Sequence, residues 1–247
     1  MMEFNNPFEC AEYEVFKNTF LQCVDLNVNF IQSEKLYDYW EHFIDFAKNV
    51  FKLEIPKEPK SGISVIESNK IETKYIFNYD KASVSVVLGH KGYNSFQNVM
   101  QRHLENIITY FKSIEVDKIQ SFTYKKDNIF PFHLQDESSL KNILGFVFRS
   151  DYDDMIKGNE SEKVFKLEKE KKIRLNDECD MLLTMGYDIK NKNDINILFS
   201  LSTEYKPIKA FSLSELTDNI SKLNKIMFDA FVNMISVNII NIMKGEK

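Results

Sequence analysis

The stretch from Ser212 to Lys244 contains neither Pro nor Gly and has a marked start and a marked end. Ser212 and Glu215 form a Ser-x-x-Glu capping box, in which each side chain satisfies a backbone N–H that a first helical turn leaves unpaired, and Phe211 can close over Leu216 as a hydrophobic staple. Lys244 and Gly245 supply a basic last turn and a residue free to take the left-handed conformation past the helix end. The spacing predicts one helix of roughly 48 Å at about 1.5 Å per residue. Its first half is amphipathic, with Leu213, Leu216, Ile220, Leu223 and Met227 on one face and Asp218, Ser221, Lys222 and Lys225 opposite. From Met227 to Met243 the surface is mostly apolar, with a thin polar stripe at Asp229, Asn233 and Ser236, so this half is expected to be buried nearly all round. A membrane span needs ~20 apolar residues, and this run is broken by Asp229, Asn233, Asn238 and Asn241, so no membrane is expected.

A chain of 247 residues, 43% hydrophobic and 28% charged, can bury a sizeable core without disulfides or metal. The net charge of −5, with basic and acidic residues interspersed, gives no reason to expect a nucleic-acid partner, whose affinity comes mainly from phosphate neutralisation. Cys10, Cys23 and Cys179 are odd in number and lack Cys-x-x-Cys spacing, so neither a disulfide framework nor a zinc site is indicated. The N-terminus is acidic and has no apolar leader-like run, which predicts a cytoplasmic protein with reduced thiols.

Phe20 to Phe30 alternates as a half-buried strand, and Ser33 to about Phe51 follows as a helix with Leu36, Trp40, Phe43, Ala47 and Val50 on its buried stripe. Three strands are expected at 63–67, 71–79 and 83–88, the last two as a hairpin, then a helix over 95–114. The remainder gives a strand from Ile119 to about Ile129, a helical turn near Ser138 to Asn142, and an apolar strand from Leu144 to Arg149. A three-strand meander at 163–175, 179–189 and 195–202 and the terminal helix complete the chain. The expected architecture is α+β in two related halves, 1–115 and 116–247, sharing one core. Each half is an antiparallel sheet covered by helices, and the long C-terminal helix is buried.

Several motifs fall in one order: Asn6-Pro7 ahead of the strand ending at Phe30, Trp40-Glu41-x-Phe43, Gly92-Tyr93-Asn94, Tyr124-x-x-x-Asn128, Leu223-Asn224, and Phe231 before Ser236. In this order the chain resembles a sporadically distributed family of uncharacterised bacterial proteins of about this length. It departs from that pattern at Asn224, where the family carries a His, and in the Gly92 loop, which lacks its Trp. The resemblance implies a bacterial cytoplasmic protein. Its patchy distribution is that of mobile-element, toxin–antitoxin or phage-defence cargo; it supplies no activity and no catalytic residues.

Two constellations bear on chemistry. Asp153 or Asp154 ahead of Glu170-x-Lys172 is the residue set of a metal-dependent nuclease, in which carboxylates hold a divalent ion and the lysine orients the attacking water. The same Glu168 to Lys172 run also suits the solvated face of an edge strand, where Lys discourages aggregation. Asp38, His42 and Asp45 fall within reach on one helical face and are a second metal or acid–base candidate, against a surface histidine in a charged helix. His103 sits on an apolar stripe as a core residue. No nucleophile elbow or phosphate-binding glycine loop is present, and no cofactor is expected.

The 21 Phe and 11 Tyr, with Tyr93, Phe130, Phe132 and Tyr152 in expected loops or edges, favour a protein-binding surface. The expected function is therefore a non-enzymatic interaction or regulatory protein, acting as a homodimer or on a protein partner. A metal-dependent nuclease is the first alternative. A small-molecule or nucleotide sensor, using a pocket between the halves, is the second.

Overall fold

The computed structural model describes residues 3–12, 14–31, 44–46, 48–49, 64–66, 73–78, 82–89, 101–133, 139–149, 166–191 and 193–246. Two long strands form its centre. In β1 (Leu21–Phe30), Val24, Leu26, Val28 and Phe30 are buried while the residues between them are half-buried. β1 runs antiparallel to β5 (Lys118–His133), with Leu26 opposite Tyr124 and Val28 opposite Phe122. A register shift between Asn29 and Phe30 leaves Gln120 as an extra residue, which lets Ile119 and Phe122 both face the core.

The sheet widens from this pair. On the β1 side lie β4 (Ser83–Gly89), β3 (Thr73–Asn78) and β2 (Ser64–Ile66); on the β5 side lie β8 (Asp194–Tyr205), β7 (Cys179–Ile189) and β6 (Lys166–Asn176). The two-residue β9 (Phe211–Ser212) joins the start of β5. Every pairing is antiparallel, in the order β2-β3-β4-β1-β5-β8-β7-β6. The fold is mixed α+β, and one sheet crosses the expected boundary near residue 115.

Helices gather on the sheet face that carries Leu26 and Tyr124. Phe111 of α1 (Gln101–Ser113) meets Phe30 at a ring separation of 5.2 Å. Phe148, just past α2 (Ser139–Val147), and Phe231 of α3 (Leu213–Met234) reach Phe199 at 6.0 and 5.9 Å. The last helix, α4 (Val237–Lys244), packs against α2. The opposite face is polar: Asn29 donates to Ser121, Ser85 to Asn27 and Ser200 to Asp127, and Lys125 pairs with Asp127 at 2.9 Å.

Three expectations are corrected. First, Leu144 to Arg149 is not a strand. Leu140, Ile143, Leu144 and Val147 repeat at helical spacing and place the segment in α2. Second, Pro131 does not end β5. Ile129 donates its N–H toward Phe20 and β1, so the nitrogen of Pro131, two residues on, points the same way, where β1 has already ended and no donor is required. Third, Ser212 to Lys244 is two helices.

The capping box at Ser212 is present, with Ser212 N–H donating to Glu215 Oε2 at 2.8 Å, and Gly245 closes α4 at φ 77°. Between them Ile235 is extended and forms an antiparallel bridge with Phe148. Arg149 N–H donates to Met234 O, Ser236 N–H donates to Val147 O, and the Ser236 hydroxyl accepts from Ile239 N–H to begin α4. In this arrangement two backbone ties to the segment after α2 stand where a continuous helix would have kept its own hydrogen bonds.

Candidate interaction surface

The N-terminal segment, described over residues 3–12 and 14–20, lies across α3 and α4 as a strap. Asn5 N–H donates to Leu175 O, Asn18 N–H donates to Met243 O, Phe16 stacks on Phe228 at 6.0 Å, and Lys244 pairs with Glu14 at 2.9 Å. At the middle of the strap lies Asp229, which has no exposed surface. Its carboxylate accepts from Asn6 Nδ2 and from Ala11 N–H, each at 2.9 Å, and pairs with Lys225 one turn earlier; Lys225 also donates to Ala11 O. Asn233 Nδ2 donates to Glu9 O. Two of the three residues expected as a polar stripe, Asp229 and Asn233, are therefore anchors of the strap, while the third, Ser236, caps α4. A cleft of about 470 Å³ remains beside it, lined by Glu12, Glu14, Phe16, Phe228 and Lys244 among others.

A second charged group under the helices is Lys126, half-buried as a whole residue. On β5 it shares a face with Phe122, Tyr124 and Phe130, an apolar-facing position that the alternation of the strand alone identifies. Its amine and the Tyr124 hydroxyl, the latter at 3.1 Å, both donate to Asn224 Oδ1. Burial pushes its pKa down to about 7, because the charged form has lost its water. Asn224 can only accept at that oxygen, so the cluster holds an amine in place without a base or a carboxylate to activate it.

The nuclease constellation is only partly placed. Glu170 and Lys172 lie on exposed positions of β6, where Lys172 Nζ meets Asp180 Oδ2 at 2.8 Å beside Arg174. These contacts hold the Asp180 carboxyl below its usual range, the Lys172 hydrogen bond first. Lys172 is thus engaged across the ladder, and Asp153 and Asp154 lie outside the described residues. Asp45 is an exposed helical residue, and Asp38 and His42 lie outside the described residues. Among the described residues, no three His, Cys, Asp or Glu side chains are grouped to hold a metal ion. Burial pushes the Cys179 thiol up to about 12, with Asp180 and Glu204 adding to it, which makes it inert. His103 is fully buried.

The aromatic candidates divide. Phe130 does not reach the surface: β5 continues through it, so it faces the core and packs on Phe20 at 4.9 Å, a correction that follows from the unbroken strand. Phe132 is half-buried and meets Phe146 edge-on at 6.0 Å. Tyr93 and Tyr152 lie outside the described residues. Two residues not singled out in the sequence join Phe132: Phe146 on α2 is 36% exposed, and Val237 on α4 is 57% exposed. The Ser236 hydroxyl, bonded to Phe146 O, brings the start of α4 beside Phe146. The signal for this patch was the helical repeat of 140–147, hidden by reading that segment as a strand.

No helix among the described residues is long and apolar enough to cross a membrane. No protein-family model matches the chain, and no curated protein matches it either.

Proposed function

We propose that this chain works through protein contact, as a non-enzymatic interaction or regulatory protein, and that it does so as a homodimer or on a protein partner in the cytoplasm. The observation that carries the reading is the apolar patch of Phe146 and Val237 beside Phe132, at the place where α4 starts against the end of α2. Apolar surface gathered at one place, rather than scattered singly, is what a partner covers. The bacterial defence, immunity or toxin–antitoxin setting rests on the family resemblance.

Two features of the architecture belong to the same reading. Residues 1–115 and 116–247 are two related halves. The strand order supports this, since β2-β3-β4-β1 on one side mirrors β6-β7-β8-β5 on the other, with β1 and β5 adjacent at the centre. The terminal helices are the interior spine that both halves share. Leu216, Ile220, Leu223, Met227, Ala230 and Ile239, all essentially without exposed surface, support that view.

The test is capture of a partner from bacterial extract by the full chain, beside a Phe146→Ser, Val237→Ser variant. A partner held by the parent and lost in the folded variant supports the reading. Cleavage of plasmid or RNA that depends on Mg²⁺ or Mn²⁺, and is lost on Glu170→Ala, overturns it in favour of the nuclease.

A further inference from the structure

β6 is one edge of the sheet: among the described residues β7 is its only strand partner, over Lys166 to Asn176, and the strap closes the end of the edge where Asn5 N–H donates to Leu175 O. An open edge presents a row of backbone donors and acceptors, and short charged strands are the usual way of keeping other chains off it. Here the edge strand is long, and its charges are ordered. Glu168, Glu170, Lys172 and Arg174 occupy alternate, exposed positions, so they share one face of the sheet, acidic first and basic after. Lys169, Lys171 and Ile173 occupy the other face, opposite Met185, Leu183 and Met181 of β7.

We infer that β6 is the pairing site for a second copy of this chain, in an antiparallel ladder centred on Lys171. The inference deepens the interaction reading above and rests on it.

In that register residue numbers on the two copies sum to twice 171. Glu168 then faces Arg174 of the other copy and Glu170 faces Lys172, and the two-fold axis repeats each pair. Sliding the register by two residues halves the match: one way sets Glu170 against Glu170 and keeps only Glu168 against Lys172, and the other sets Lys172 against Lys172 and keeps only Glu170 against Arg174. A slide by one residue is also excluded. Opposed residues would then have opposite parity, and side chains would have to cross from one face of the sheet to the other. The two-fold axis through Lys171 stands perpendicular to the sheet, so both helix layers lie on the same side and the sheet continues from copy to copy. Lys172 and Arg174, which reach Asp180 within the chain, have side chains 66% and 71% exposed and can still meet a carboxylate across the ladder. The single like-charge contact is Lys171 against itself. This pattern favours the register centred on Lys171 over its neighbours, which is how charge gives specificity at an edge.

The ladder predicts one self-paired position, and that supplies the test. Opposed residues in an antiparallel pair have Cα atoms about 4.5–5.5 Å apart, within the reach of a disulfide. The full-length chain with Cys10→Ser and Cys23→Ser as background is used, because Cys10 is exposed and Cys23 half-buried, whereas Cys179 is buried. Lys171→Cys in that background should convert most of the protein to a disulfide-linked dimer on mild oxidation with diamide. Lys169→Cys, whose two copies lie four residues apart along the ladder, should not. Charge exchange supplies the second arm: Glu170→Lys should abolish dimerisation, and Glu170→Lys combined with Lys172→Glu should restore it. A parent chain that is dimeric while Lys171→Cys stays unlinked and Glu170→Lys changes nothing overturns the β6 ladder and leaves the interaction reading standing. A parent chain that remains monomeric and captures no partner overturns both.

Discussion

Lys126 carries the clearest chemical signature of any single residue. Its amine lies under α3, bonded to Asn224, with a pKa pushed down to about 7 by burial. An unfolded lysine titrates near 10.5, so the folded state releases its proton first. Below about pH 7 both states hold the proton and the full cost of a buried charge is present. Between pH 7 and 10.5 the unfolded state binds more protons, so stability rises with pH as that cost is relieved. Lys126→Met keeps the stem and removes the charge, while Asn224 still accepts from Tyr124. Thermal melts of this variant should show a gain of about 1–2 kcal/mol at pH 6, or ~2–6 °C, that fades by pH 10. A difference that stays constant with pH would show that Lys126 is not held in a desolvated site.

At the scale of elements, the strap and the two terminal helices form one unit, with Asp229 at its centre. Removing that carboxylate leaves Lys225, Asn6 Nδ2 and Ala11 N–H without the acceptor they share. Asp229→Ala should cost about 3 kcal/mol, the usual consequence of breaking a buried, hydrogen-bonded ion pair. Hydrogen exchange should speed up at the amides of Asn5, Ala11 and Asn18 before it does so in β5. Unchanged protection at those three positions would show that the strap is held by its apolar contacts instead. Elements with a clean period were legible in the sequence: β1, the β3–β4 hairpin, the meander of β6 to β8, and the capping box at Ser212. What was not legible depended on partners distant in sequence. The break at Ile235 exists because the segment after α2 supplies Val147 O and Arg149 N–H, and no local signal foretells that exchange. Lys126 and Asp229 were readable in principle, since each is a charge at an otherwise apolar position of its own strand or helix.

For the whole molecule, one antiparallel sheet carries a helix layer and the strap on one face and hydrogen-bonded polar rows on the other. Some of its charged groups are engaged within that frame, as Asp229 and Lys225 are in the strap and Lys172 and Asp180 are across the last ladder. Among the described residues, the two surfaces proposed to meet other molecules are the Phe146 patch and the β6 edge. The patch was not visible before the fold was known, because it required α2 to be a helix; the charge run of 168–172 already suited an edge strand, and the strand order places it at one. Sedimentation equilibrium of the full-length chain, from low to high micromolar concentration, weighs the consequence directly. The account predicts a species of twice 29.1 kDa that dissociates on dilution; a mass of 29.1 kDa throughout would contradict it.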